Sequence, residues 1–151
     1  MAGHYGQGGG LKNLLTAILG KTSGSALSSD VGGRIYLDEA PAGCEFPYVV
    51  FQIVTASKEK TFTEEFRDTL IQFSLFSISQ GVTEITTIYK DLIALFDECA
   101  LTIPPTGTVT DILVWMREAN LVTMVDEITT TEGTGTLKHW AIDFEVKTLL
   151  S

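Results

Sequence analysis

Hydrophobic positions along the chain switch between helical and strand periods, and each switch marks an element. Leu11, Leu14, Leu15, Ile18 and Leu19 recur at helical spacing, with Gly20 as a stop. That pattern predicts a short amphipathic helix. Residues 21–33 are rich in Ser and Gly and read as mostly loop, with room for one helical turn. Residues 46–56 are a dense β-run: Tyr48, Val50 and Val54 point one way, while Val49, Phe51 and Ile53 point the other. Both faces are apolar, as in a central strand or one whose outer face meets another subunit. Residues 57–66 carry Lys58, Glu59, Lys60, Glu64 and Glu65 and predict a long hairpin loop. A second strand follows over residues 67–79. Its apolar positions shift from Ile71, Phe73 and Leu75 to Phe76 and Ile78, which suggests a bulge.

After Gln80-Gly81, the residues Val82, Ile85, Ile88, Tyr89, Leu92, Leu95 and Phe96 form one helical stripe. Pro104-Pro105 ends any continuation. Residues 111–127 predict a long strand kinked near Glu118-Ala119-Asn120, and residues 129–136, with Gly133 and Gly135, a mobile hairpin loop. Residues 137–147 alternate cleanly: Trp140, Ile142, Phe144 and Val146 face inward, and His139, Asp143, Glu145 and Lys147 outward. Two hairpins flanking a helix predict an α+β fold: an antiparallel sheet of about four strands, one long helix packed on it, and a short N-terminal helix. Residues 1–10, with Gly3, Gly6 and Gly8–Gly10, read as a flexible Gly-rich arm, and residues 11–151 as a single domain. The second apolar face of the first strand needs a cover, either the N-terminal helix or a neighbouring subunit.

Charge narrows the function. The net charge is −9, with only 10 Lys and Arg against 19 Asp and Glu. A nucleic-acid binder needs a basic patch to displace phosphate counterions, and an anionic membrane also attracts basic segments. Cys44 and Cys99 are far apart and read as two reduced thiols. The start of the chain lacks the basic and apolar regions of a signal peptide, so synthesis and use inside a cell is the expectation.

Candidate chemistry is thin. Gly20-Lys21-Thr22 resembles the end of a phosphate loop, but that loop needs a glycine at position 15, where Leu15 stands. His4 and His139 have no metal-ligand neighbours at useful spacing. The acid pairs Asp38-Glu39, Glu64-Glu65, Asp97-Glu98 and Asp126-Glu127 are sequence neighbours, so on strands they point to opposite faces and do not converge as an acid–base pair. Trp115 and Trp140, one on each late strand, suit a core better than an exposed aromatic surface. No catalytic residue, metal or cofactor is expected, and the chain reads as a scaffold rather than an enzyme.

One phrase is more specific. Ile35-Tyr36, Asp38 and Ala40-Pro41 lead into Phe46-Pro47-Tyr48-Val49-Val50-Phe51. With Leu14-Leu15, the strand over residues 70–79, the helix over 82–96 and Phe144-Glu145-Val146, this resembles the tail-terminator (tail-completion) proteins of long-tailed bacteriophages. The resemblance implies a structural virion protein: a hexameric ring at the head-proximal end of the tail that stops tube polymerisation. Its implied partners are itself, the tail-tube protein and a head-completion or neck protein. DNA passes through without specific binding, which an acidic channel suits, and no membrane is involved. The expected subunit and partner contacts are Tyr48, Val50 and Val54 on the first strand and Glu59, Lys60, Glu64, Glu65 and Glu132 in the two hairpin loops. Another head–tail connector or tail-tube protein is the alternative within the structural class. A small cellular ligand-binding domain or enzyme is the alternative outside it.

Overall fold

The computed structural model describes residues 2–105, 107, 110–130 and 133–150. The elements run α1 (Ala2–Thr22), α2 (Ala26–Asp30), β1 (Ile35–Leu37), β2 (Tyr48–Lys60), β3 (Glu65–Ser77), α3 (Thr83–Phe96), β4 (Ile112–Thr130) and β5 (Gly133–Leu150). One five-stranded sheet has the order β1-β2-β3-β5-β4, antiparallel throughout except that β1 runs parallel to β2. The expected α+β class and the two hairpins flanking α3 stand. The strand number is corrected from four to five, the additional one being β1. Three helices are present, and the longest is the N-terminal one. Residues 2–10, expected as a Gly-rich arm, are the opening turns of α1.

All three helices lie on one face of the sheet. Leu14 and Ile18 of α1, Leu27 of α2, and Ile85, Ile88, Leu92 and Phe96 of α3 are buried in a single core. The sheet answers with Val49 and Phe51 of β2, Ile71, Phe73 and Leu75 of β3, and Ile142, Phe144 and Val146 of β5. Inward residues follow the two periods on which the sequence reading rests: i, i+3, i+7 and i+11 along α3, and every second position along the strands. Ser25 caps α2, its hydroxyl accepting from the Ser28 N–H at 3.1 Å. Tyr89 donates to Glu118 and packs edge-on against Trp140, tying α3 to β4 and β5.

Three local expectations are corrected. The bulge anticipated in β3 is absent, because Arg67 to Ser77 alternates without a break; Phe76 faces the side of the sheet opposite the helices. The irregularities fall at Val54 in β2, Val114 in β4 and Ala119 in β4, the last at the anticipated kink. Residues 57–66 are not a long loop, since β2 runs to Lys60 and β3 starts at Glu65. Only a tight turn at residues 61–64 remains, closed by Thr61 N–H donating to the Glu64 carbonyl at 2.8 Å and Glu64 N–H donating to Thr61 Oγ1 at 3.0 Å. Likewise β4 and β5 extend into the anticipated loop at 129–136, leaving residues 131–132 outside the described set.

The contact between α2 and α3 holds a carboxyl pair with a consequence for pH. Burial, then a hydrogen bond to Asp91 and the Asp91 charge, push Asp30 up to about 6 from 3.8, and its Oδ2 is buried without a partner. A raised acid pKa means that the folded state holds the proton more tightly. The contribution is full below the unfolded value near 4 and is lost as pH rises through 6. Asp30→Asn removes that penalty. The variant is expected to melt a few degrees higher at pH 7.5, for about 1 kcal/mol after solvent screening. Its melting temperature should also vary less between pH 4 and 6.5, which thermal unfolding across that range checks.

Candidate assembly interface

Among the described residues every helix lies on one side, and none covers the opposite face of the sheet. Cross-strand register places Tyr48 opposite Phe76, Phe76 opposite His139, and His139 opposite Met124. The side chains form a continuous line across four strands. Tyr48 and Phe76 stack with centroids 4.7 Å apart, and Phe76 and His139 at 4.3 Å. Phe46 and Tyr36 extend the line from the β1 side, at 5.2 and 6.5 Å from Tyr48. Cross-strand aromatic pairs of this kind stabilise a sheet on their own face. Here they also present a row of partly open rings.

Burial keeps this row uncharged. It pushes the Tyr48 hydroxyl up, with a smaller push from Cys44, and holds His139 below the usual imidazole range against the opposing pull of Asp126. His139 Nε2 is buried without a partner. Beside the row, the loop over residues 38–46 borders an open hollow of about 540 Å³ lined by Asp38, Glu39, Phe46, Tyr48 and Phe76. Arg34 fixes the near end of the loop, donating from Nε to the Pro47 carbonyl at 3.0 Å and from Nη2 to the Phe46 carbonyl at 3.3 Å. The two free cysteines, Cys44 and Cys99, are each half-buried.

Two projections flank this face. β3 stops at Ser77, opposite Lys138, so the end of the β4–β5 hairpin is a two-stranded ribbon. Val125, at the root of the ribbon, is 66% exposed, and such a ribbon is marginally stable without a partner. At the opposite end of the sheet, Phe62 stands at the β2–β3 turn with its ring fully exposed (109%).

The residues expected from the sequence separate into two regions. Tyr48 and Val50 lie on the open face, and Val54 is the bulged residue, half exposed. Glu59, Lys60, Glu64 and Glu65 cluster at the far end of the β2–β3 hairpin, where Glu59 pairs with Lys147 at 3.2 Å and Glu65 with Lys58 at 3.0 Å. The bond to Lys58 lowers the Glu65 pKa, with burial opposing. Glu132 lies outside the described residues. Tyr36, Phe62, Phe76, His139 and Met124 were missed. For Phe76 the alternation of β3 itself carried the signal, since position 76 is out of phase with Ile71, Phe73 and Leu75.

The family model for tail completion protein gp17 matches residues 13–148, almost the whole chain. The chain belongs to the phage tail-completion family. It is therefore a structural component of the virion tail and not an enzyme, as the sequence reading held. No curated protein matches it in sequence. Among solved structures, a chain of the virion of a native gene transfer agent (GTA) particle is similar in fold, with a TM-score of 0.68 at 13% identity over 89% of this chain and 92% of that one. At that identity the likeness speaks to fold alone.

Proposed function

We propose that this tail-completion protein assembles as a hexameric ring at the head-proximal end of the tail tube, ends tube polymerisation and offers a seat to a head-completion or neck protein, with DNA passing through uncontacted. The observation that carries this reading is the Tyr48–Phe76–His139–Met124 line, left open on a sheet whose other face is sealed by helices. A scaffold with nothing to dock against gains only cross-strand stabilisation from an aromatic row left in water, whereas an assembling subunit also buries it. Rings arise when one surface patch meets a different patch on the next copy and the rotation closes. The β4–β5 ribbon and the Phe62 turn sit at opposite ends of the sheet, as contacts toward tube and neck require. Tyr48, Val50 and Val54 are assigned to the contact between subunits, and Glu59, Lys60, Glu64, Glu65 and Glu132 to the contacts with tube or neck.

Native mass spectrometry of the purified chain at micromolar concentration tests the ring. A species of six chain masses without longer stacks is the expected result. Unlimited filaments would make it a tube protein, and a ligand-bearing monomer would favour the binding-domain alternative.

A further inference from the structure

We infer that the acid-rimmed hollow beside the 38–46 loop is a socket for a lysine from the helix layer of a second copy of this chain. The inference rests on the ring reading and names the two surfaces that meet. Three aromatic side chains line the hollow: Phe46, Tyr48 and Phe76, the last two stacked on each other. Its rim holds the carboxylates of Asp38 and Glu39, both exposed, and neither forms an ion pair with a described residue. Carboxylates above aromatic faces are the chemistry that holds an ammonium group, by charge and by the ring quadrupole together. Arg34, at the near end of the loop, is committed elsewhere: to the Pro47 and Phe46 carbonyls and to Glu45 at 3.8 Å.

The complementary surface lies on the other side of the same molecule. Along α1 the buried positions Gly10, Leu14, Ile18 and Thr22 face the sheet, which sends Lys12 and Thr16 outward. Along α3, burial of Ile85, Ile88, Leu92 and Phe96 sends Thr86, Thr87, Lys90 and Ala94 outward. The exposed positions of these two helices, from Gly10 onward in α1, include Lys12 and Lys90, while the carboxylates of α3, Glu84 and Asp91, are half-buried and bonded to Ser77 and Asp30. A subunit with an acidic, aromatic socket on its sheet face and unpaired lysines on its helix face meets its own copy head to tail, the arrangement from which a ring closes.

The test is sedimentation velocity of the full chain at low and high salt, with variants on both sides. On the socket side, Glu39→Lys is combined with Asp38→Asn. Asn is chosen because Asp38 has a φ of 67°, which Asn tolerates and Lys does not. On the helix side, Lys12→Glu is combined with Lys90→Glu. All four positions are exposed, so thermal unfolding should be unchanged, which separates assembly from folding. Each pair is expected to weaken self-association about ten-fold or more, and the four changes in one chain, which exchange the signs, should restore much of it. A wild-type assembly that every variant matches, or a four-fold variant that stays dissociated, overturns the socket and leaves the ring standing. A wild-type chain that is monomeric at every concentration overturns both.

Discussion

Phe73→Ala is expected to lower the melting temperature by about 10–15 °C. Phe73 is fully buried at the centre of β3. Its ring stacks on Phe51 of β2 at 5.5 Å, tilts against Phe96 of α3 at 5.1 Å and meets Phe144 of β5 edge-on at 5.4 Å. One side chain thus joins three strands and the helix that seals them. Truncation of a buried Phe costs about 3–5 kcal/mol from lost transfer energy and the cavity left behind, and a domain of this size loses about 2–4 °C per kcal/mol. Against a total stability of about 5–15 kcal/mol this is the heaviest single loss in the core. Circular dichroism at fixed protein concentration measures it. A fall of less than about 3 °C would mean that the aromatic cluster does not organise the core. Phe76→Ala, three positions along the same strand on the open face, should cost far less in monomer stability, because the ring is only half-buried to begin with.

The contrast between those two phenylalanines shows what was legible in the sequence. The stripe of α3, apart from Val82, which precedes the helix and is 59% exposed, and the alternation of β5 identify core residues, because one wet face and one dry face leave a periodic signature. Elements whose signal is not periodic were misread. β1 is three residues long, entered through Gly32 and Gly33 at positive φ, and pairs in parallel with β2, so neither alternation nor a hairpin turn marks it. The charged stretch at 57–66 resembles a loop in composition, yet Lys58 bonds Glu65 on the adjacent strand β3, and Lys147 of β5 reaches across β3 to Glu59 on β2. Such cross-strand ion pairs are how a solvent-exposed sheet tip looks in sequence.

The open face was half legible. Tyr48 and Val50 were placed on it from the double apolarity of β2. The alternation of β5 also turns His139 outward, but the row it forms with Phe76 requires the register of four strands, which is a property of the pairing and not of any one segment. The family resemblance, carried by the 35–51 phrase, reached the correct family before any fold was in hand. Nothing in that phrase shows how the opposite faces of the molecule differ in charge.

The Gly-rich start conceals a packing requirement, and with it the second large effect. Arg67 and Asp111 are 4% and 6% exposed, opposite charges both enclosed beneath α1, and Asp111 Oδ1 is buried without a hydrogen-bond partner. Burial depresses the Arg67 pKa, while the Asp111 charge, and less so Glu65, pull it back up. Gly10 passes directly over them. A Cβ there would lie 2.2 Å from Asp111 Oδ2 and 3.3 Å from Arg67 Nη1. Glycine at this position therefore serves close approach rather than flexibility. Asp111→Ala leaves a buried guanidinium without its counter-charge and is expected to cost about 3–5 kcal/mol. Gly10→Ala should destabilise in the same direction by displacing the same carboxylate. The decisive variant removes both charges: Arg67→Met with Asp111→Leu is expected to be more stable than Asp111→Ala alone, since no ion is then left stranded. Denaturant unfolding of these three variants, of the single changes Arg67→Met and Asp111→Leu, and of the parent measures each term. If the double variant loses as much as its two single changes added together, the residues act independently and the enclosed pair does not hold α1 to the sheet.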